Sequence, residues 1–119
     1  MVDFFGVPAS TTPGLAVLAR KSGSPVLPLF MIRNPDGTHR LIFDEIIPWE
    51  EQESPEETIR HMTQRYTAVI EKFVRRYPDQ WFWLHRRWRV KPGETGPVPP
   101  EESPEETPEE ADARPKAAE

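Results

Sequence analysis

One apolar stripe dominates this sequence. Ile59, Met62, Tyr66, Val69, Ile70, Phe73 and Tyr77 recur at the spacing of successive helical turns, so one face of a long helix must be buried against the rest of the fold. Its start is written in Ser54, Pro55 and Glu57, a capping-box pattern with proline at the first helical position. Pro78 ends it, because proline has no N–H to give to the helix and clashes with the preceding turn.

The elements that must cover that stripe lie upstream. "VDFFG" reads as a short strand ending at Gly6, and "VPASTTPG" as a loop of turn-forming residues. Thr12 is placed to cap a helix with Pro13 at its first position; Leu15, Leu18 and Ala19 form its apolar side and Gly23 closes it. "SPVLPLFMIR" is an almost unbroken apolar run, the pattern of a strand covered on both faces as in a parallel sheet, although Pro28 does not suit a fully paired central strand. "NPDG" is a turn, after which "THRLIFDEII" returns as an antiparallel strand. With a short helix after Pro78, the order is strand, helix, strand, strand, helix, short helix. That order implies a right-handed crossover and an α/β fold. Too little chain remains to cover both faces of "VLPLFMI", so the expectation is the C-terminal part of a larger α/β domain.

Charge divides the chain in two. The net charge is −5 over 119 residues. Residues 93–119 hold nine acids against Arg114 and Lys116, with six prolines and no aromatic residue, whereas residues 1–92 are net +2. We therefore expect a folded part over 1–92 and a disordered, acidic, Pro-rich tail over 93–119. The hexapeptide "ESPEET" occurs at 53–58 and again at 102–107, but only the first copy is followed by an apolar stripe, so only the first is expected to start a helix. Basic charge concentrates between Glu71 and Lys91, where seven bases face two acids. The absence of cysteine excludes disulfides, thiolate metal sites and cysteine nucleophiles. No apolar run approaches the roughly 20 residues of a spanning helix and no signal peptide is visible, so any membrane contact made by this sequence is expected to be peripheral.

Few residues carry an obvious chemistry. His39 and Asp44 form H-x-x-x-x-D, but on a strand a spacing of five points the two side chains to opposite faces, about 16 Å apart along the chain. A general base and its orienting acid need about 3 Å; the pair reads as surface residues of a strand. Ser10, Thr11 and Thr12 lack both a neighbouring base and the G-x-S-x-G elbow, so they read as loop hydroxyls beside a helix start whose amides could hold an anion. No convincing metal-ligand spacing appears.

"PDQWFWLHRRW", residues 78–88, is the most unusual stretch. Placed on a helix, Trp81, Leu84, His85 and Trp88 share an inward arc, and Trp83 falls opposite them between Arg86 and Arg87. An indole flanked by two guanidiniums fits cation–π contact, the aromatic and basic make-up of a membrane interface, or a grip on phosphate. Single-stranded nucleic-acid binding is the rival for such a surface. It is ranked below lipid contact because the patch is small and the acidic tail would compete with it.

Two blocks of this sequence resemble a known family. "FFG-x-PA-x-T-x-x-G" matches Phe4, Phe5, Gly6, Pro8, Ala9, Thr11 and Gly14. "P-x-Q-W-x-W-x-H-R-R-W" matches Pro78, Gln80, Trp81, Trp83, His85, Arg86, Arg87 and Trp88. In order and spacing, over residues 2–92, the chain is similar to the C-terminal half of the bacterial lipid A biosynthesis acyltransferases, the lauroyl and myristoyl transferases of lipopolysaccharide assembly. Pro28 resembles a proline block of the wider glycerolipid acyltransferase superfamily.

The resemblance implies a glycerol-3-phosphate acyltransferase-like α/β sandwich on the cytoplasmic face of the inner membrane. It implies transfer of a fatty acyl chain from acyl carrier protein, or acyl-CoA, to a glycolipid hydroxyl, with no other cofactor and no metal. In that family the catalytic H-x-x-x-x-D/E and the membrane helix lie upstream of the "FFG" block, and His39, downstream of it, is not the equivalent. A truncated, split or mis-started acyltransferase, inactive alone and without catalytic residues of its own, is therefore expected. Thr11, Thr12 and Gly14 would shape an acyl or headgroup pocket. Arg86 and Arg87, with Arg33, would hold phosphates of the acceptor or carrier, and Trp83 would contact lipid. The alternative is a non-enzymatic peripheral module for anionic lipid, built on Trp83, Arg86 and Arg87.

Overall fold

A computed structural model of the chain describes residues 1–89. The order is β1 (Val2–Phe4), β2 (Val7–Ala9), α1 (Gly14–Ser22), β3 (Leu29–Arg33), β4 (His39–Phe43) and α2 (Pro55–Arg76), followed by a 3-10 turn at Pro78–Gln80. This is a small mixed α/β arrangement of two separate antiparallel ribbons, β1–β2 and β3–β4, packed on α2. The expected acidic tail and the boundary near residue 93 lie outside the described residues.

The long helix forms as its sequence signals require. Ser54 Oγ accepts from the Glu57 N–H at 3.2 Å, Pro55 occupies the first turn, and the Tyr77 N–H makes the last bond, to Phe73 O at 2.9 Å, before Pro78 stops the ladder. Its buried face is wider than the apolar stripe, since Thr58, Thr63 and Thr67 are buried beside Met62, Tyr66, Phe73 and Val74. Each threonine hydroxyl is satisfied within the helix, donating to the carbonyl four residues back at 2.7–2.9 Å. Burial therefore leaves no hydroxyl unpaired.

Two clusters flank α2. Met62 and Tyr66 pack with Ala16 and Ile47, and nearer the C-terminal end Val74 packs with Phe4 and Ala9. Helix α1 turns Ala16 and Ala19 inward, not the expected Leu15 and Leu18, which are exposed. The alanines leave room for α1 to lie close against α2. Its cap also differs from expectation: Pro13 takes the N-cap position and no side chain caps the helix. Gly23 closes it as expected, with φ 66° and a bond to Ala19 O.

The β3–β4 ribbon forms through the Pro35–Gly37 turn as expected, but it is not part of a parallel sheet covered on both faces. Phe30 and Ile32 face the helix, where the Phe30 and Phe73 rings stack at 3.7 Å. Leu29, Met31, Leu41 and Phe43, cross-strand neighbours by register, form an exposed outer face. Pro28 sits just before β3, where only its carbonyl is used, accepting from the Asp44 N–H at 3.0 Å. The two ribbons meet α2 separately, so no strand–helix–strand crossover joins them in one sheet.

Two glutamines end these ribbons sideways. Gln64, on α2, accepts from the Asp3 N–H at 2.6 Å and donates to Asp3 O at 2.9 Å. Gln80 accepts from the Arg33 N–H at 2.7 Å and donates to Arg33 O at 3.0 Å.

Residues 81–89 form no helix. Trp81 is extended and the chain then runs through successive turns. The inward arc expected for a helix is correspondingly broken: Trp81 and Trp88 pack on Phe4, but Leu84 and His85 are exposed. Packing of two indoles on one buried phenylalanine overrides the helical spacing.

Candidate functional site

The site begins with a strained turn. "VPASTTPG" was expected to be loop throughout, yet Val7–Ala9 pairs with β1 in the register Val2↔Ala9 and Phe4↔Val7. Phe5 and Gly6 connect the strands with φ of 54° and 72°. Two positive φ values are what a two-residue hairpin turn demands. They are routine for Gly6 and uncommon for an aromatic residue at Phe5.

Glu71 holds Phe5 there. One carboxylate oxygen accepts from the Phe5 N–H at 2.8 Å and the other accepts from Arg75 at 2.7 and 3.0 Å. Arg75 in turn lies 4.6 Å over the Phe5 ring. The Phe5 N–H, and then Arg75, hold the Glu71 carboxyl below its ordinary value of about 4.5. A depressed folded-state pKa stabilises above the unfolded value and is lost as pH falls through the folded one. Glu71→Gln is therefore expected to lower the urea midpoint at pH 7, with the gap from the parent chain closing below about pH 4. A constant gap across that range would show that the carboxylate charge is not what holds the turn.

The fixed hairpin supplies Phe4 as the platform for the tryptophan segment. The Trp88 ring stacks on Phe4 at 5.5 Å and its Nε1–H donates to Phe4 O at 3.3 Å; Trp81 lies 5.7 Å away, tilted. Arg87 also lies 5.2 Å over the Phe4 ring and donates to Ser10 O at 2.6 Å and to Thr11 Oγ1 at 2.5 Å. Thr11 Oγ1 donates onward to Ala9 O at 3.2 Å, which fixes the hydroxyl as acceptor for Arg87. Partial burial draws the Arg87 guanidinium below its ordinary pKa, and arginine keeps its proton in proteins.

Around this contact lies an open cleft of about 420 Å³, lined by Ser10, Thr11, Thr12, His85, Arg86, Arg87 and Arg89. Among the described residues the ion pairs use Glu50, Asp44 and Glu71, and none involves these three arginines. Three guanidiniums beside three hydroxyls, with no carboxylate paired to them among those residues, give the cleft the chemistry to accept an anion. The natural fit is phosphate, whose oxygens accept several charge-assisted bonds at once.

The structure brings together only part of the expected set. Thr11, Thr12, Arg86 and Arg87 meet in the cleft. Gly14 only opens α1, and Arg33 lies at the end of β3, its backbone held by Gln80. Trp83 does not sit between the arginines: its Nε1–H donates to Pro78 O at 2.6 Å and its ring lies 6.3 Å from Phe5. Ser10, His85 and Arg89 were missed; Arg89 had a signal, as one of the bases crowded after Glu71. His39 and Asp44 are not paired, since Asp44 bonds Lys72 at 3.2 Å. The histidine that does meet a carboxylate is His61, with Nε2 2.8 Å from Glu50 Oε2. Arg65 shares that Glu50 at 2.7 Å and donates to Pro48 O, so the group ties the 48–50 segment to α2.

Comparison with known proteins covers most of the chain. The family described as bacterial lipid A biosynthesis acyltransferase matches residues 1–90. The lipid A biosynthesis lauroyltransferase of Escherichia coli K12 is 35% identical over 85 residues, covering 71% of this chain and 26% of that protein. The palmitoleoyltransferase of the same organism is 34% identical over 90 residues, covering 75% and 28%. A lipid A biosynthesis acyltransferase of Haemophilus influenzae is 35% identical over 92 residues, covering 76% and 27%. The chain thus spans little more than a quarter of the length of these relatives. No solved structure matches it.

Proposed function

Because the chain belongs to the bacterial lipid A biosynthesis acyltransferase family, we propose that it forms the phosphate-binding part of an enzyme that acylates a hydroxyl of a lipid A-type glycolipid precursor. The acyl donor is acyl carrier protein or acyl-CoA, and the reaction takes place at the cytoplasmic face of the inner membrane. The observation that carries this reading is the Arg87–Thr11 contact inside a cleft also lined by Arg86 and Arg89. An acceptor or carrier phosphate seated there is oriented by fixed donors, so that binding energy is spent on positioning the reacting hydroxyl or thioester.

The proton transfer belongs elsewhere. The described residues form one part of a glycerol-3-phosphate acyltransferase-like sandwich, and the family's H-x-x-x-x-D/E base is supplied by sequence other than this chain's. The exposed outer face of β3–β4 agrees with a further layer packing there. The chain alone is expected to show no acyl transfer. A chimera in which it replaces the matching segment of the Escherichia coli lauroyltransferase is expected to transfer acyl groups from acyl carrier protein to a lipid A precursor. A folded chimera inactive on all such acceptors would overturn the assignment.

A further inference from the structure

We propose that Phe82, Trp83 and Leu84 form a membrane-inserting tip, collared by Arg86 and Arg89, by which this part of the protein docks on an anionic lipid surface. The three residues are consecutive and exposed to 67%, 54% and 83%. A run of exposed aromatic and aliphatic side chains is costly in water and is stabilised by transfer to a bilayer interface. The arginines two to five residues further on are exposed or half-buried cations. Charge complementarity with lipid phosphates selects an anionic membrane over an apolar protein groove.

Three donors in and beside the tip already have partners. A polar group taken into hydrocarbon without a partner costs several kcal/mol. Here the Trp83 indole N–H already donates to Pro78 O at 2.6 Å. The Trp83 backbone N–H bonds Trp81 O at 3.0 Å and the His85 N–H bonds Phe82 O at 3.1 Å. These donors would enter the interface already paired. The base of the tip is firm as well, because Trp81 and Trp88, on either side of it, are packed on buried Phe4. The tip and the cleft share one segment, so docking would bring the arginine cleft to the depth of lipid phosphates.

This inference deepens the membrane-facing side of the proposed function and needs no catalytic chemistry, so the two stand or fall on different measurements. The test uses the full chain with vesicles of phosphatidylcholine, alone or mixed with phosphatidylglycerol. Binding is expected only with phosphatidylglycerol and is expected to weaken as salt is raised. Phe82→Ser/Leu84→Ser, exposed positions whose change should leave the circular dichroism spectrum unaltered, is expected to weaken partitioning about tenfold or more. Lipids brominated high on the acyl chain are expected to quench tryptophan emission, and Trp83→Phe to remove most of that quenching although Trp49, Trp81 and Trp88 remain. Undiminished binding by the serine variant would mean electrostatic adsorption only and would overturn the proposal. So would absence of binding at low salt, or quenching that survives Trp83→Phe.

Discussion

Phe4→Ala is expected to cost about 3–5 kcal/mol, the range for emptying a buried aromatic site, and to release the tryptophan segment as it does so. Phe4 is 1% exposed and is the single side chain on which Phe5, Trp81, Trp88 and Arg87 all converge. Small domains hold only about 5–15 kcal/mol in total, so the variant should unfold at much lower urea concentration. Two local readouts separate collapse of the site from general loss of stability. Cleavage by trypsin after Arg86, Arg87 or Arg89 should become rapid under conditions where α2 is still helical by circular dichroism. Phosphate binding should be lost in parallel. Phe4→Leu, which keeps most of the volume, is expected to cost much less. If Phe4→Ala unfolds no earlier than the parent chain, the platform described here is not what holds residues 81–89.

The second large effect is expected at Arg87. Arg87→Ala should weaken binding of phosphate or pyrophosphate by about 10–100-fold, the scale of one or two charge-assisted hydrogen bonds. Arg87→Lys should recover little of it. The guanidinium is planar and spans Ser10 O and Thr11 Oγ1 together, with one nitrogen on each; an ammonium keeps the charge but not that fork. Thr11→Val, which removes one acceptor and keeps the shape, should lie between the parent and Arg87→Ala. Isothermal titration with pyrophosphate measures the series directly. In the active chimera the same variants should raise KM for the acceptor or the donor more than they lower kcat if the role is binding. Full affinity retained by Arg87→Lys would show that charge alone matters and that the fork geometry does not.

Much of α2 was legible because its signals are local. Ser54, Pro55 and Pro78 act within a turn of themselves, and the apolar stripe needs only one helix to be read. Gly23 and the Pro35–Gly37 turn were legible for the same reason. What failed depends on partners remote in sequence. Strand β2 hides behind Pro8, Ser10 and two threonines, and its turn carries Phe5 where asparagine or glycine would be the usual sign; the compensating Glu71 lies 66 residues away. The buried threonines of α2 stand outside the apolar stripe because hydropathy does not register hydroxyls satisfied by the helix itself. Residues 81–88 were read by helical spacing, whereas their conformation is set by Phe4. For the cleft, Thr11, Arg86 and Arg87 were identifiable one by one through resemblance to a family, and Thr12 as the neighbour of Thr11. That Arg87 bonds Thr11 across 76 residues, and that Arg33 stands elsewhere, belongs to tertiary structure alone.

The paired bonds of Gln64 to Asp3 and of Gln80 to Arg33 have a consequence for how these ribbons behave among other chains. A carboxamide carries one donor face and one acceptor face, the same pair a peptide unit offers, so each glutamine acts as a neighbouring strand one residue long. An open strand edge is a template for intermolecular pairing and the usual starting point of amyloid-like growth. In β1 and β3 that template is occupied at one position by an amide anchored to α2 or to the turn that follows it. An incoming strand would have to expel the amide before its own ladder could pass that point. Two ordinary glutamines thus act as stoppers, each guarding a ribbon against fibre formation at a position that hydropathy would never single out.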